Sequence, residues 1–286
     1  MKAQPSNERL DPVDSIHTVD LSCWEDFEDA IKISFANPPV PTLIGHVSSL
    51  LFRGQRDAKW GLRTTLERNH KPNFAFKKYF NILSSTHSVV ESYTERRFEF
   101  PNFDSYFDTL SKTKSPFHAS MMPAYEYMVY LRHFGFPSPL LDWTESPYIA
   151  AYFAFVDAST SLDSRVAIYS YREWAGAGKI ASPSEATILT APNDTRAHKR
   201  HHLQQCKYTV CIHNNNDEWI YSQYKDAANA HNTNQDIIRK YTLPTSERAK
   251  VLQILNRYNI NDFSLFESEE SLMKTMAMKA FDFPPT

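Results

Sequence analysis

The sequence predicts an α+β fold, a single mixed domain with a small central sheet, flanking helices and a helical C-terminal segment. Apolar residues recur at helical spacing through most of the first half of the chain, up to about residue 156. Alternating strand patterns follow at 165–171 and 208–213, and helical spacing returns within 245–280. This order of helices, then strands, then helices is typical of the α+β class.

The chain begins with a polar stretch over residues 1–17, which we expect to form a loose N-terminal arm. The predicted domain then spans 18–286. Ser22 and Glu25 have the spacing of a capping box, which predicts a helix that starts there. Prolines between 38 and 41 end this helix.

One strand and three more helices are expected next. The strand lies within 43–52 and finishes at Arg53. Apolar spacing predicts a helix over 77–99, and a connector at 100–117 separates it from a helix that runs from Pro123 to Gly135. The fourth helix follows at 147–156.

The second half of the chain carries the clearest strand patterns. Residues 165–171 and 208–213 alternate as strands do, with mostly loop predicted between 175 and 200. A helix is expected to begin at Ser246. The last helix is predicted to be amphipathic, with an apolar face formed by Leu272, Met273 and Met276.

Composition places the chain among globular proteins and excludes several function classes. Its 286 residues are 42% hydrophobic and carry a net charge of −2, so overall charge does not favour nucleic acid as a partner. Six glycines cannot build a P-loop or a dinucleotide-binding fingerprint. No apolar run is long enough to span a membrane. The polar start lacks a secretory signal and the three cysteines form no paired pattern, so we expect a cytoplasmic protein.

The segment 131–155 places polar residues between two apolar stretches. Gly135 is a natural helix stop, and Pro137 prevents the helix from resuming. Ser146 fits as the N-cap of the next helix, with Pro147 at its first position. Because the first backbone amides of a helix have no intrahelical partner, this point could bind a polar ligand.

Two blocks of the sequence resemble the FRG domain family, from about residue 45 to 213. The first block contains the triplet Phe-Arg-Gly at 52–54, from which the family takes its name. The second has the pattern His-x-Gly-x-Pro-x-x-Leu-Leu-Asp-Trp-Thr-x-Ser-Pro, ending in Tyr-Phe-Ala. Its positions here are His133, Gly135, Pro137, Leu140, Leu141, Asp142, Trp143, Thr144, Ser146, Pro147, Ala150, Tyr152, Phe153 and Ala154. The resemblance implies a domain type rather than one activity, and family context suggests a bacterial or phage defence or toxin system.

Arg53 is the first candidate site residue. Its planar guanidinium suits phosphate or carboxylate, and Gly54 beside it allows close approach. Gln55 supplies a second polar side chain on the same face of the strand. The alternative is a structural ion pair between Arg53 and Asp142 that joins two segments of the fold.

Residues 142–146 are the second candidate. Asp142 supplies an acceptor, and Thr144 and Ser146 supply hydroxyls. Trp143 could stack on a base or ring while Thr144 and the backbone amides of the helix start hold phosphate or ribose. The alternative makes Asp142 and Ser146 helix caps and Trp143 a core residue. His133 is expected to complete the hydrogen bonds at a helix end, with catalysis a minor option.

A basic segment at 196–213 offers weaker signals. His198, His201 and His202 lack a second cluster at ligand spacing, so no metal site is predicted. The segment resembles the family pattern Arg-x-x-x-Gln-x-Gly-x-Phe-Thr, whose counterparts are Arg200, Gln204 or Gln205, Cys206, Tyr208 and Thr209. Cys206 stands where glycine is usual.

Two functions follow from these residues. The first is a nucleotide-handling pocket similar in strand order to ADP-ribosyltransferases, with NAD as the candidate substrate and no cofactor assigned. Its catalytic candidates are Arg53, Asp142, Thr144 and Gln205, and its ligand-binding candidates are Gln55, His133, Trp143, Ser146, Tyr152 and Arg200. Gln205 cannot ionise, so Glu145 or Asp142 would have to stabilise an oxocarbenium-like centre. The second function is a non-catalytic module that binds or senses nucleic acid or a protein partner.

Overall fold

The computed structural model describes residues 8–10, 16–38, 47–70, 73–112, 122–159, 161, 163–174, 182–191, 199–228 and 235–283. The strands are β1 (Glu8–Leu10), β2 (His17–Asp20), β3 (Leu51–Gln55), β4 (Phe74–Ala75), β5 (Leu141–Thr144), β6 (Arg165–Trp174), β7 (Thr187–Thr190), β8 (Cys206–Asn215), β9 (Glu218–Tyr221) and β10 (Gln235–Pro244). The helices are α1 (Trp24–Ala36), α2 (Thr65–Asn69), α3 (Phe76–Thr94), α4 (Phe103–Lys112), α5 (Tyr125–His133), α6 (Pro147–Phe155), α7 (Arg200–Leu203), α8 (Tyr224–Ala228), α9 (Arg248–Arg257), α10 (Asp262–Phe266) and α11 (Glu269–Ala277). None of these helices is long and apolar enough to cross a membrane.

The strands of the described residues form one mixed sheet. Its order is β1-β2-β10-β6-β3-β5-β8-β9-β4, and β7 pairs with β8 outside this path. β10 runs parallel to β2, and the other described pairs are antiparallel. The predicted α+β class is therefore confirmed, with helices packed against a central sheet.

The sheet is larger than the small one that the sequence predicts. The sequences of β9 and β10 show little alternation of apolar and polar residues. These segments form strands because they pair with neighbouring strands of the sheet. Residues 8–10, expected in a loose arm, pair with β2 as an edge strand. β3 continues past Arg53 to Gln55, so Arg53 lies inside the strand and not at its end.

Several helix boundaries also differ from the prediction. α4 forms inside the expected connector. The N-cap of α1 is Cys23, and the backbone N–H of Ser22 donates to the Asp26 carboxylate at 3.0 Å instead of Ser22 capping the helix. On α11 the predicted apolar face is largely exposed, with Met273 61% accessible, because Ser271 and Thr275 face the core.

Three apolar clusters hold the layers together. Side chains alternate across a strand, so neighbouring residues of β3 enter different clusters. The first joins α1, α6 and α9 to the sheet through residues such as Phe27, Phe52, Ala150 and Leu255. The second joins α3 and α5 to β8 through Tyr79, Tyr127 and Tyr208. The third includes Leu51, Trp143 and Tyr171.

Gly54 allows α6 to lie directly on β3. A Cβ at this position would come within 1.9 Å of the Ala150 carbonyl oxygen and 2.6 Å of the Ala154 amide nitrogen. Ala150 and Ala154 are themselves fully buried, so small residues meet on both sides of the contact. The close approach brings the helix that follows β5 onto the strand that carries Arg53.

Candidate functional site

β3 and β5 separate in the middle of the sheet. They pair at a single position, Phe52 opposite Thr144, whereas β3 pairs with β6 along its whole length. Beyond that position the Asp142 carbonyl accepts a hydrogen bond from Nη1 of Arg53 at 2.7 Å. The guanidinium thus satisfies a strand carbonyl at the point where the two strands diverge.

A cavity of about 710 Å³ opens at this separation. Its walls come from β3 and the loop after it, from β5 and β8, and from α2, α5, α6, α7 and α10. Among the residues that the structure describes, two carboxylates line it, Asp142 and Asp157. Seven cationic side chains of the described residues also line it: Arg53, Arg56, Lys59, Arg63, Arg68, Arg132 and Arg200. Within the described part of the chain, the lining thus carries a formal excess of five positive charges.

Arg53 lies in the wall of this cavity with its side chain only 14% exposed. Its Nε is buried and has no hydrogen-bond partner among the described residues. The pKa of Arg53 is lowered to about 10, mainly by burial and further by the charges of Arg132 and Arg68, against the opposing effect of Asp142. A group with this pKa is still charged at neutral pH, so a buried cation faces the cavity.

The Asp142 carboxylate is bound mainly by Arg132, a residue that the sequence analysis did not select. Nε of Arg132 donates to Oδ1 at 3.1 Å, and Nη2 donates to Oδ2, which makes a bidentate pair. Arg53 lies 4.0 Å from the same carboxylate. Arg53 therefore contacts Asp142 as expected, but its shortest contact is with the backbone carbonyl oxygen of Asp142. The carboxylate of Asp142 forms its main ion pair with Arg132.

Thr144 and Ser146 organise the turn into α6. The Thr144 hydroxyl accepts from the Ser146 N–H at 3.1 Å, and the Ser146 hydroxyl accepts from the Ile149 N–H at 3.3 Å. Thr144 lines the cavity, whereas Ser146 does not. Ser146 is therefore the N-cap of α6, as the capping alternative predicts, and it lies outside the cavity lining.

Trp143 and Tyr152 are core residues. Trp143 belongs to the cavity wall but is 2% exposed, its indole N–H donates to the Thr209 hydroxyl at 2.8 Å, and its ring packs on Tyr171. Tyr152 is 1% exposed and lies outside the cavity lining. Neither ring is placed to stack on a ligand, because both are enclosed by other side chains.

His133 lines the cavity and is tied to the core through Tyr208. Its Nε2 lies 2.9 Å from the Tyr208 hydroxyl, which is 3.4 Å from Nδ1 of His201. His201 stacks on Tyr208, and burial lowers the pKa of His201. Among the described residues no group of three or more metal-ligating side chains occurs; His198 lies outside them.

The segment around α7 contributes Arg200, Gln204 and Cys206 to the cavity. Arg200 lies over the Phe266 ring at 5.3 Å. Gln205 does not reach the cavity: its side chain is exposed, its φ is +48°, and its carbonyl accepts from the Glu145 N–H. Gln204 takes the place expected of Gln205.

Two residues that the site prediction does not include, Arg56 and Trp60, also line the cavity. The guanidinium of Arg56 lies 5.2 Å from the Trp60 ring centre, and Trp60 is 41% exposed. A second cavity of about 720 Å³ shares four lining residues with the first: Arg56, Lys59, Trp60 and Asp157. An exposed aromatic ring therefore contributes to the lining of both cavities.

One sequence signal could have identified most of this charge. Between 53 and 68 there are five cationic residues against two acidic ones, Asp57 and Glu67. Overall net charge hides this cluster because acidic residues elsewhere balance it. The contribution of Arg132 carries no such local signal, whereas Arg200 belongs to the basic segment at 196–213 and is among the predicted ligand-binding residues.

One comparison with known proteins found a match, to a domain family. Residues 48–162 match the model of the FRG domain, a range that contains β3, β5 and α6. The segment around 200–209, which the sequence analysis also compared with the family, lies outside the matched range. No curated protein and no solved structure matches the chain. The chain carries an FRG domain at residues 48–162, and that domain supplies β3 and β5, between which the cavity opens.

Proposed function

We propose that the chain binds a nucleotide through its phosphates in the cavity between β3 and β5. The observation that carries this proposal is the excess of cationic side chains around a space of about 710 Å³. Pockets of this size hold small organic ligands, and arginine forks match phosphate oxygens. A nucleoside diphosphate would supply negative charge to balance these cations.

Several of these cations are available to a ligand. Within the part of the chain that the structure describes, Arg56, Lys59, Arg63 and Arg68 have no carboxylate at ion-pair distance. Asp142 is engaged by Arg132. Like charges gathered without partners repel each other, and an anionic ligand relieves this repulsion.

Trp60 supports a ligand that also carries a base. An exposed indole beside an arginine offers a flat surface on which a base can stack. This role was expected of Trp143, which is enclosed in the core. A bound nucleotide would have its phosphates among the arginines and its base against Trp60.

Cleavage of NAD with ADP-ribosyl transfer is the second candidate function. Arg53 on β3, Thr144 on β5 and Gln204 before β8 line one cavity. They follow one another along the chain in the order expected from the similarity to ADP-ribosyltransferases in the sequence analysis. An oxocarbenium-like centre needs a free carboxylate. Asp142 is bound by Arg132, and Glu145 lies 3.5 Å from Lys207 outside the lining. Asp157, the other carboxylate of the lining, lies beyond the end of α6 and is not one of the two carboxylates expected to stabilise this centre. Since neither Asp142 nor Glu145 offers a free carboxylate to the cavity, the geometry favours nucleotide binding over cleavage.

The test is calorimetric titration with ADP, ADP-ribose and NAD at low and high salt. Arg53→Met should lower ADP-ribose affinity at least tenfold, and raised salt should weaken binding by the wild-type chain. Arg257→Met, which removes an exposed arginine outside the lining, is the matched control and should bind as wild type does. Arg68→Met gives a second cavity variant at an exposed position if Arg53→Met does not fold.

Two outcomes would contradict the proposal. One is that no nucleotide binds the wild-type chain; the other is that both cavity variants bind like Arg257→Met. Chromatography of the NAD sample then separates the two candidate functions. Release of nicotinamide that is lost in Asp142→Asn would establish cleavage, and unchanged NAD would leave binding alone.

A further inference from the structure

We infer that Gln55 distinguishes a nucleoside phosphate from a bare polyphosphate, by accepting a hydrogen bond from a hydroxyl or amino group of the nucleoside. This inference rests on the proposed function and names the part of the ligand that reaches the wall of the same cavity. Gln55 would make an uncharged hydrogen bond to the nucleoside, whereas the arginines would bind the negatively charged phosphates.

Gln55 is the last residue of β3, is 8% exposed and lines the cavity. Its Nε2 donates to the Gly61 carbonyl at 3.3 Å, which fixes the orientation of the amide. Its Oε1 is buried and has no hydrogen-bond partner among the described residues. Since an amide oxygen can only accept, its missing partner must be a donor.

Arg53 presents the opposite requirement two residues earlier. Its Nε is also buried without a partner, and a guanidinium can only donate. Residues two apart on a strand share a face and are separated by about 7 Å. A ligand that satisfies both side chains must therefore present an acceptor to Arg53 and, a short distance away, a donor to Gln55.

Bare phosphates satisfy only half of this requirement. Pyrophosphate offers acceptors to Arg53 but is a poor donor in its ionised state. A nucleoside phosphate carries acceptors on phosphate and donors on the ribose hydroxyls or the amino group of the base. The pair of unpartnered atoms thus favours a ligand with both groups.

The experiment compares ADP with pyrophosphate on the wild-type chain and on Gln55→Met, which keeps the side-chain length and removes the amide. The affinity ratio of ADP to pyrophosphate should fall about tenfold in the variant, equivalent to 1.4 kcal/mol. Pyrophosphate affinity should stay unchanged, which shows that the arginines remain in place.

A ligand series tests the same inference without any substitution. Inosine diphosphate lacks the amino group of adenine, and 2′,3′-dideoxy-ADP lacks both ribose hydroxyls. One of the two should bind the wild-type chain about tenfold more weakly than ADP does, and Gln55→Met should abolish that difference. The ligand that loses affinity identifies the donor as base or ribose.

The outcomes separate this inference from the proposed function. If pyrophosphate and ADP both bind but Gln55→Met leaves their ratio unchanged, Gln55 does not read the nucleoside and the inference is wrong. If inosine diphosphate and 2′,3′-dideoxy-ADP both bind the wild-type chain as tightly as ADP does, the inference is also wrong. If neither pyrophosphate nor ADP binds the wild-type chain, the proposed function itself is overturned.

Discussion

Replacing Gly54 by alanine tests the contact that brings α6 onto β3. The new Cβ would lie 1.9 Å from the Ala150 carbonyl oxygen, whereas ordinary contact begins at 3.4 Å, so helix and strand must move apart by about 1.5 Å. The obstructing atoms are backbone and cannot rotate away. Overpacking a core by one methyl group typically costs 1–3 kcal/mol, and we expect about 3 kcal/mol or more because the displacement involves a whole helix.

Urea unfolding and thermal melting would measure this loss. At roughly 2 °C per kcal/mol for a chain of this size, Gly54→Ala should melt about 6 °C lower than the wild type. Gly135→Ala is the matched control, since nothing lies within 4 Å of its added Cβ and its cost, about 1 kcal/mol, comes only from its φ of +85°. If Gly54→Ala were no more destabilising than Gly135→Ala, the close approach of α6 to β3 would be refuted.

Three further perturbations have defined outcomes. A double-mutant cycle with Arg132→Met and Asp142→Asn should give a coupling energy of about 1–2 kcal/mol in urea unfolding, because the pair is bidentate and partly buried; additive losses would contradict it. Burial raises the pKa of the Cys206 thiol to about 12, from 9.0. The unfolded chain therefore loses a proton that the folded protein keeps between about pH 9 and 12, and stability falls with rising pH through that window. Melting temperatures measured from pH 8 to 11 should fall less steeply in Cys206→Ala, and an identical slope would show that this thiol is not responsible. Trp60→Ala should weaken ADP binding by about 1–3 kcal/mol while Trp60→Phe retains most of it, and calorimetry showing equal affinity in all three proteins would remove Trp60 from the site.

Local sequence signals predicted the elements whose stability comes from nearby residues. The cap of α6 was predicted because a hydroxyl side chain followed by proline suits a helix start. The strand at 165–171 was predicted from its alternation, and β6 includes it. By contrast, β9 and β10 depend on pairing with β8, β2 and β6, and such pairing leaves a weak mark on the paired segment itself.

The structure brings together those predicted site residues that lie within one of two short segments. Arg53, Gln55, Asp142 and Thr144 all line the cavity, and each lies in one of the two blocks that resemble the family. The family pattern fits Gln204 or Gln205, and Gln205 is the predicted catalytic residue, but its side chain is exposed at a left-handed backbone position while Gln204 lines the cavity. A one-residue difference of this kind depends on local φ, which periodicity does not reveal.

The sequence by itself determined the α+β class, the FRG blocks and the capped start of α6, because apolar spacing, prolines and caps act over a few residues. Only the tertiary structure decided that Arg132 is the principal partner of the Asp142 carboxylate, and that seven cations of the described residues meet around one cavity. These side chains come from segments far apart in the chain. Their meeting depends on where β3 and β5 diverge and on how closely Gly54 lets α6 approach, and both are long-range properties of the packed sheet.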